Sequence, residues 1–394
     1  MQTTVSRGIR TPIIRPGDDI VQIVVESVLR TSKEEGFVLH DRDVVCVTES
    51  VVARADRNYA SVDDIAADIR QKFPNGTVGV LFPILSRNRF AVVLKGIARG
   101  AKRVVVQLSF PADEVGNHLL DWDALDESGV DLYNDILDLD TFREKFGTPL
   151  HPFTGMDYLS YYKEIIEAEG AQACIILANR PSALLRYTTH VLCCDIHSRF
   201  RTIRSLKRAG AESVYTLCDI LSAPSKEHGF CPNYGLLGSN RASDDTVKLF
   251  PRNAQAVSEA ISKELSSRTG KQIEAMVYGD GAFKDPVGHI WELADPVVAV
   301  GFTEGLDGLP NEIKLKYLAD NDLKDLHGAE LEEAMRNKIQ ELRSRNTSAR
   351  MASMGTTPRR IPDLIGSLCD LTSGSGDKGT PVVLVQGYFT NYSD

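Results

Sequence analysis

The sequence predicts a fold that mixes strands with helices, α/β or α+β, and three observations carry that prediction. Strand-length apolar runs alternate with helical periodicity through the first hundred residues. A strand, helix, strand succession with a glycine closing the helix runs from Thr189 to Leu221, and the chain ends on a helix, a glycine-rich loop and a strand. At 394 residues the chain exceeds what one ordinary core holds, so two domains, or one domain with a large insertion, are expected.

Taken in order, "DVVCVTESVVARAD" (43–56) reads as a buried strand entering a polar turn, and "SVDDIAADIRQKF" as a helix with Ser61 at its N-cap and two aspartates in its first turn. "TVGVLFPIL" and "KRVVVQLSF" are further strands. Between them "LSRNRFAVVLKGIARGAKRV" gathers Arg87, Arg89, Lys95, Arg99, Lys102 and Arg103, either a solvated basic helix face or an anion pocket. Residues 111–160 read as short surface helices. "MDYLSYYKEIIEAEGAQACIILANRPSAL" is helix, glycine stop and strand, and the segment from Thr189 predicts a βαβ unit with a parallel sheet. After a loop rich in Gly, Ser and Asn, a helix (254–270) and the strand "QIEAMVYGD" bring Asp280 to a strand end.

Composition limits the function. Hydrophobic content of 42% with 25% charged residues fits a soluble globular protein, and no apolar run approaches the roughly 18 residues of a membrane span. The start lacks the continuous apolar stretch of a secretory signal, so a cytoplasmic address is expected. A net charge of -9 opposes general nucleic-acid binding. Seven cysteines without repeated spacing argue against a disulfide framework and against zinc, and read as reduced core residues.

Three loops carry polar groups suited to chemistry. "SGSGDKGTP" (373–381) has glycines that let backbone N–H groups approach a phosphate, but lacks the lysine and following helix of a Walker loop. "GLLGSNRASDD" offers Ser239, Asn240, Asp244 and Asp245 as oxygen donors or as ordinary turn residues. Asp280 stands before Gly281, followed by Lys284, Asp285, His289 and Glu292; an acid at a strand end suits a magnesium ion beside a nucleotide, and equally a turn cap. A site near Asp195 and His197 is a further alternative.

Taken together, "TPIIRPGDDI", "VTESVVARAD", "NYGLLGSN", "VYGDGAFKDPVG" and "LTSGSGDKGTPVVLVQG" resemble, in kind and order, segments of the coenzyme F-420:L-glutamate ligase family, and "YLADNDLKDLHGAEL" resembles another. The resemblance covers residues 9–56 and roughly 232–394. It implies an α+β fold, a mixed-sheet γ-glutamyl-ligase-like domain formed by residues 1–110 and 232–394, split by an inserted α/β region at 111–231 that contains the parallel βαβ unit. It further implies GTP or ATP, Mg or Mn, L-glutamate, a small coenzyme-like acceptor and a homodimer, with no nucleic acid and no membrane. A pterin or folate-like acceptor is an alternative, as is a nucleotide-binding module without catalysis.

Carried onto this sequence, the family pattern implicates Thr11, Pro12, Ile13, Ile14, Glu49, Ser50, Arg54 and Asn240 in nucleotide contact, together with Ser373, Gly374, Ser375, Gly376, Asp377, Lys378, Gly379 and Thr380. Asp280 is the expected metal ligand, assisted by Arg54 or Lys284, and Arg87 and Arg89 are expected to grip substrate carboxylates or phosphate. The pattern departs at Leu237, where an acid is expected, at Gly281 in place of a threonine, and at Ser375 in place of a glutamate.

Overall fold

A computed structural model describes residues 3–152, 154–280, 283–284, 291–292, 296–308, 318–344, 360–373 and 378–390, the side chains of 283–284, 291–292 and 339–344 excepted. The chain opens with β1 (Val5–Ile9), α1 (Ile20–Glu35), β2 (Val44–Thr48), α2 (Glu49–Ala55), β3 (Tyr59–Ser61) and α3 (Val62–Lys72). Next come β4 (Thr77–Leu81), α4 (Phe90–Gly100), β5 (Arg103–Leu108), α5 (Trp122–Glu127), β6 (Leu137–Asp138), α6 (Leu139–Phe146) and α7 (Tyr158–Ala168). They lead to β7 (Gln172–Leu177), β8 (His190–Cys193), α8 (Arg199–Arg208), β9 (Ser213–Thr216), β10 (Asn240–Arg241) and β11 (Thr246–Lys248). The last part holds α9 (Ala254–Thr269), β12 (Glu274–Tyr278), β13 (Phe283–Lys284), β14 (Trp291–Glu292), β15 (Ala299–Phe302), α10 (Gly328–Ser344), α11 (Ile361–Ser373) and β16 (Val382–Gln386).

Local chemistry starts and stops these helices where the sequence says it should. Asp19 accepts the N–H of Gln22 at the start of α1, and Gly36, in the left-handed region, closes it by donating to Ser32. Ser61 caps α3 as expected, with Asp64 returning the bond to form a capping box.

Two main sheets result. The first has the order β1-β16-β2-β12-β15, with β2 and β12 parallel and the other pairs antiparallel. Alternation along β2 sends Val45 and Val47 to one face, against Val24 and Val28 of α1 and Val257 and Ile261 of α9. It sends Val44 and Cys46 to the other, against Ile365 and Cys369 of α11. The second sheet has the order β6-β7-β5-β4-β8-β9 and is parallel except for β6 at its edge. The expected βαβ unit is β8, α8 and β9, a parallel pair. One face of this sheet packs on α3, α4 and α7, the other on α8 and a 3-10 turn at Pro181–Arg186. A small sheet, β10-β11-β3, lies between them in sequence.

The structure sets the seam differently from the expected boundary at 110/111. β4, α4 and β5 precede that boundary yet belong to the parallel sheet, because each parallel neighbour needs a helical crossover and α4 supplies the one between β4 and β5. The basic stretch at 85–104 forms α4, which is largely buried. At Gly96 a Cβ would come within 2.6 Å of Ile65, so α3 and α4 approach more closely than any side chain there allows. The exposed edge of α4 is spent on ion pairs, Lys95 with Asp245 (2.5 Å) and Arg99 with Glu169 (2.7 Å) and Asp63 (2.8 Å), rather than on an open anion pocket. No helix among the described residues is long and apolar enough to cross a membrane.

Candidate functional site

Strand register brings distant turns to one edge of the mixed sheet. Tyr278 pairs with Thr48 in the parallel β2–β12 ladder, so Asp280 emerges beside the start of α2. Val382 pairs with Val47 on one side and Ile9 on the other, so the loop before β16 and the segment after β1 open onto the same edge. The N–H of Thr48 donates to the carbonyl of Pro381 (3.0 Å), and Gly17 N–H donates to Ala55 O (2.8 Å), which ties the segment after β1 to the end of α2.

These turns enclose a cavity of about 430 Å³. Thr11, Pro12, Ile13 and Ile14 form one wall; Ser50 and Arg54, on one face of α2 at i and i+4, form another. Asp280 enters from the end of β12, and Ser373, Gly379 and Thr380 from the C-terminal loop. Gly379 has φ 65°, a left-handed turn that lets Thr380 fold back so that its hydroxyl donates to Ser373 O (3.1 Å). Thr48, Val51, Asp370 and Pro381 complete the lining and were not singled out from the sequence. The available signal was spacing: Asp370 lies one helical turn before Ser373 on α11, and Thr48 is the last residue of β2.

Charge in the cavity is uneven. Arg54 is exposed and makes no ion pair among the described residues. Asp280 is different: the Arg89 guanidinium, at the N-terminal end of α4, donates to its Oδ2, with the two side chains 15% and 40% exposed. Arg89, expected to grip a substrate anion, here grips Asp280 and reaches it from the parallel-sheet region. Nearby, burial raises the Tyr59 phenol, with Arg54 opposing that shift and Glu49 adding to it.

Other expected residues lie elsewhere. Glu49 turns away from the cavity lining and accepts Lys248 Nζ at 2.7 and 3.0 Å, a pair only 12% and 11% exposed that joins α2 to β11. Asn240 sits in β10, where its side-chain oxygen accepts the Arg241 N–H (3.0 Å), and Arg241 N–H is shared with Asn88 O (2.8 Å). Arg87 and Lys378 are exposed and outside the lining. Leu237 is fully buried in the apolar core that packs on the parallel sheet, and its side chain offers a cation no ligand. Asp244 and Asp245 pair with Arg241 and Lys95. Gly281, Asp285, His289, Gly374, Ser375, Gly376 and Asp377 lie outside the described residues, as do the side chains of Lys284 and Glu292. The seven cysteines are free thiols, and Asp195 is buried in the turn after β8.

A family model described as F420-0:Gamma-glutamyl ligase matches residues 8–387. The chain belongs to this γ-glutamyl ligase family. The match is wider than the resemblance read from the sequence, since it runs through the region taken there as inserted. The chain is also similar to coenzyme F420:L-glutamate ligase of Methanocaldococcus jannaschii, 28% identical over 162 residues, which make up 41% of this chain. That similarity spans 49% of the relative, about half its length. The mixed sheets with helices on their faces form an α+β fold consistent with the family.

The donors in the cavity suit a hard divalent cation. Asp280 and Asp370 supply carboxylates, and Ser50 and Thr380 supply hydroxyl oxygens, all of the oxygen type that Mg or Mn prefers. Among the described residues no group of three or more His, Cys, Asp or Glu side chains gathers in one place. The described lining thus offers two carboxylates, one of them already paired with Arg89.

Proposed function

We propose that this γ-glutamyl ligase family member is a nucleotide-dependent amide ligase that joins L-glutamate to a carboxylate of a coenzyme-like acceptor. An acceptor carboxylate oxygen attacks the γ-phosphorus of GTP or ATP, nucleoside diphosphate leaves, and an acyl phosphate forms. The glutamate amine then attacks the acyl carbon, the C–O bond to phosphate breaks, and the amine proton passes to solvent.

One observation carries this reading: four of the five segments that the family pattern links to nucleotide and metal line one cavity, which holds Arg54 and two carboxylates. Transfer of this kind depends on position and charge neutralisation. Arg54 is proposed to hold phosphate oxygens, and residues 11–14 and 379–380 to bound the nucleotide. Asp280 and Asp370 would hold Mg or Mn, which when bound neutralises phosphate charge. Arg89, paired with Asp280, keeps that carboxylate aimed into the cavity, Lys284 is proposed to assist Asp280 against the phosphate, and Arg87 to hold the acceptor. A homodimer in a cytoplasmic setting belongs to the same proposal.

The test is turnover by the purified chain with Mn or Mg, GTP or ATP, L-glutamate and a phosphorylated deazaflavin carboxylate, with folate and pterin carboxylates in parallel. Product heavier by one glutamyl residue, with matching phosphate release, is expected from one of the acceptors. Absence of nucleoside diphosphate with all of them sinks the ligase reading. A nucleotide-binding module without turnover is the second reading, favoured by Leu237 in the core and by the Arg89 pair on Asp280. Calorimetry that detects nucleotide binding in a preparation lacking turnover would decide for it.

A further inference from the structure

The parallel sheet has a topological feature that the ligase reading leaves unused. Its five parallel strands stand in the order β7-β5-β4-β8-β9, so succession in the chain reverses direction between β4 and β8. In open sheets of this kind ligands lie beyond the carboxyl ends of the strands, near that reversal. A cavity of about 350 Å³ lies there, lined by Phe82 after β4, Arg180 after β7, and Ser198, Arg201 and Thr202 of the turn and helix after β8. It adjoins an open hollow bounded by Arg201, Arg204 and Arg208, with which it shares Ser182, Arg201 and Ser205.

The charged side chains of both linings are of one sign. Arg201, Arg204 and Arg208 recur at i, i+3 and i+7, one exposed stripe of α8, while Leu206 on its other side is buried against the sheet. Arg180 stacks 5.2 Å from the Tyr133 ring centroid. None of these four guanidinium groups has an ion-pair partner among the described residues, unlike Arg89 and Arg99. Beneath them Asp195, fully buried, accepts the hydroxyls of Ser198 (2.8 Å) and Thr202 (2.6 Å), fixing both side chains of the lining. Its Oδ1 has no hydrogen-bond partner among the described residues. The N–H groups of the turn before α8 are already taken: Glu114 accepts from Ile196, from His197 (3.2 Å) and from Ser198 (3.2 Å). An outside anion is therefore met by the arginine stripe and not by that turn.

We propose that this edge is a second ligand site, separate from the cavity at Asp280, for a small molecule carrying a pyrophosphate or two phosphate groups. Arg180 and Arg201 on the cavity, with Arg204 and Arg208 on the adjoining hollow and no carboxylate in either lining, suit such oxygens, each contact being charge-assisted. The site needs no turnover at the first cavity and stands whether or not the ligase reading holds.

Titration of the full chain with inorganic pyrophosphate, without divalent cation and at low salt, tests it. Wild type should bind, and the double variant Arg201→Ala/Arg204→Ala, both positions exposed, should bind about tenfold more weakly or worse. Lys207→Ala, exposed on α8 and outside both linings, should leave this binding unchanged. Equal affinity in wild type and the double variant, or an equal loss in Lys207→Ala, overturns the proposal. So does a single-stranded oligonucleotide that displaces pyrophosphate at lower concentration than ADP does, since that outcome assigns the stripe to a nucleic-acid backbone.

Discussion

The two sheets build their cavities by opposite routes. In the mixed sheet, segments near residues 11, 50, 280, 370 and 380 meet because antiparallel and parallel ladders bring their ends to one edge. In the parallel sheet the cavity comes from loops that repeat along residues 82–205, each following a strand or opening the next helix. The first cavity mixes two carboxylates with one arginine that makes no ion pair among the described residues, and the second is lined by arginines alone among charged side chains. A mixed-charge site suits transfer between anions with a cation between them, whereas a one-sign site suits holding. Arg89 joins the regions, rising from α4 of the parallel sheet to Asp280 of the mixed one.

Breaking the seam should have the largest effect. Glu49→Ala strands Lys248 in a nearly buried position, and a loss of about 3 kcal/mol in unfolding free energy is expected by urea titration. A loss under about 0.5 kcal/mol with weakened nucleotide binding would return Glu49 to the nucleotide contact that the family pattern implies.

Arg54→Ala should lower kcat/KM by about 100-fold, near 2.7 kcal/mol of transition-state stabilisation, with partial recovery in Arg54→Lys. Stability should not move, because Arg54 is exposed. An unchanged rate would remove the mixed-charge cavity from the reaction and leave the second one as the more informative site.

The smallest effect belongs to Asp195 and sharpens the contrast on the parallel side. Burial raises its carboxyl above the ordinary 3.8, against the opposing hydrogen bonds from Thr202 and Ser198. The folded chain thus holds that proton more tightly than the unfolded chain, so this group's contribution falls as pH rises from about 3.8 through the raised value. Compared with wild type, Asp195→Asn should raise the urea midpoint at pH 7 relative to that at pH 4. An unchanged difference would mean that the carboxyl ionises in the folded chain as it does in the unfolded one.

Much of this was legible in the chain. Ser61 capped its helix, the Thr189–Leu221 segment gave a parallel strand pair, and Thr11–Ile14, Ser50, Arg54, Asp280, Ser373, Gly379 and Thr380 share a cavity. Residues near them in sequence went elsewhere for geometric reasons. On α2, Ser50 and Arg54 lie one turn apart and face the cavity, while Glu49 is rotated by about 100° toward Lys248. Asp370 was missed because a loop motif directs attention to glycines, whereas the acid reaches the cavity from the helix one turn earlier. β4, α4 and β5 precede the expected boundary at 110/111 yet join the parallel sheet, because parallel neighbours need a helical crossover that local periodicity does not assign to a partner.

By itself the sequence determined periodicity, caps, turns and the order of the motifs, since these depend on neighbours within a few residues. Only the tertiary structure decided which arginine is spent and which is available: Arg89 neutralises Asp280, Arg99 pairs with Glu169, and Arg54, Arg201 and Arg204 face open space. All are the same residue type with the same intrinsic charge. Coulomb attraction acts over a few ångströms of space, and strand register sets those distances.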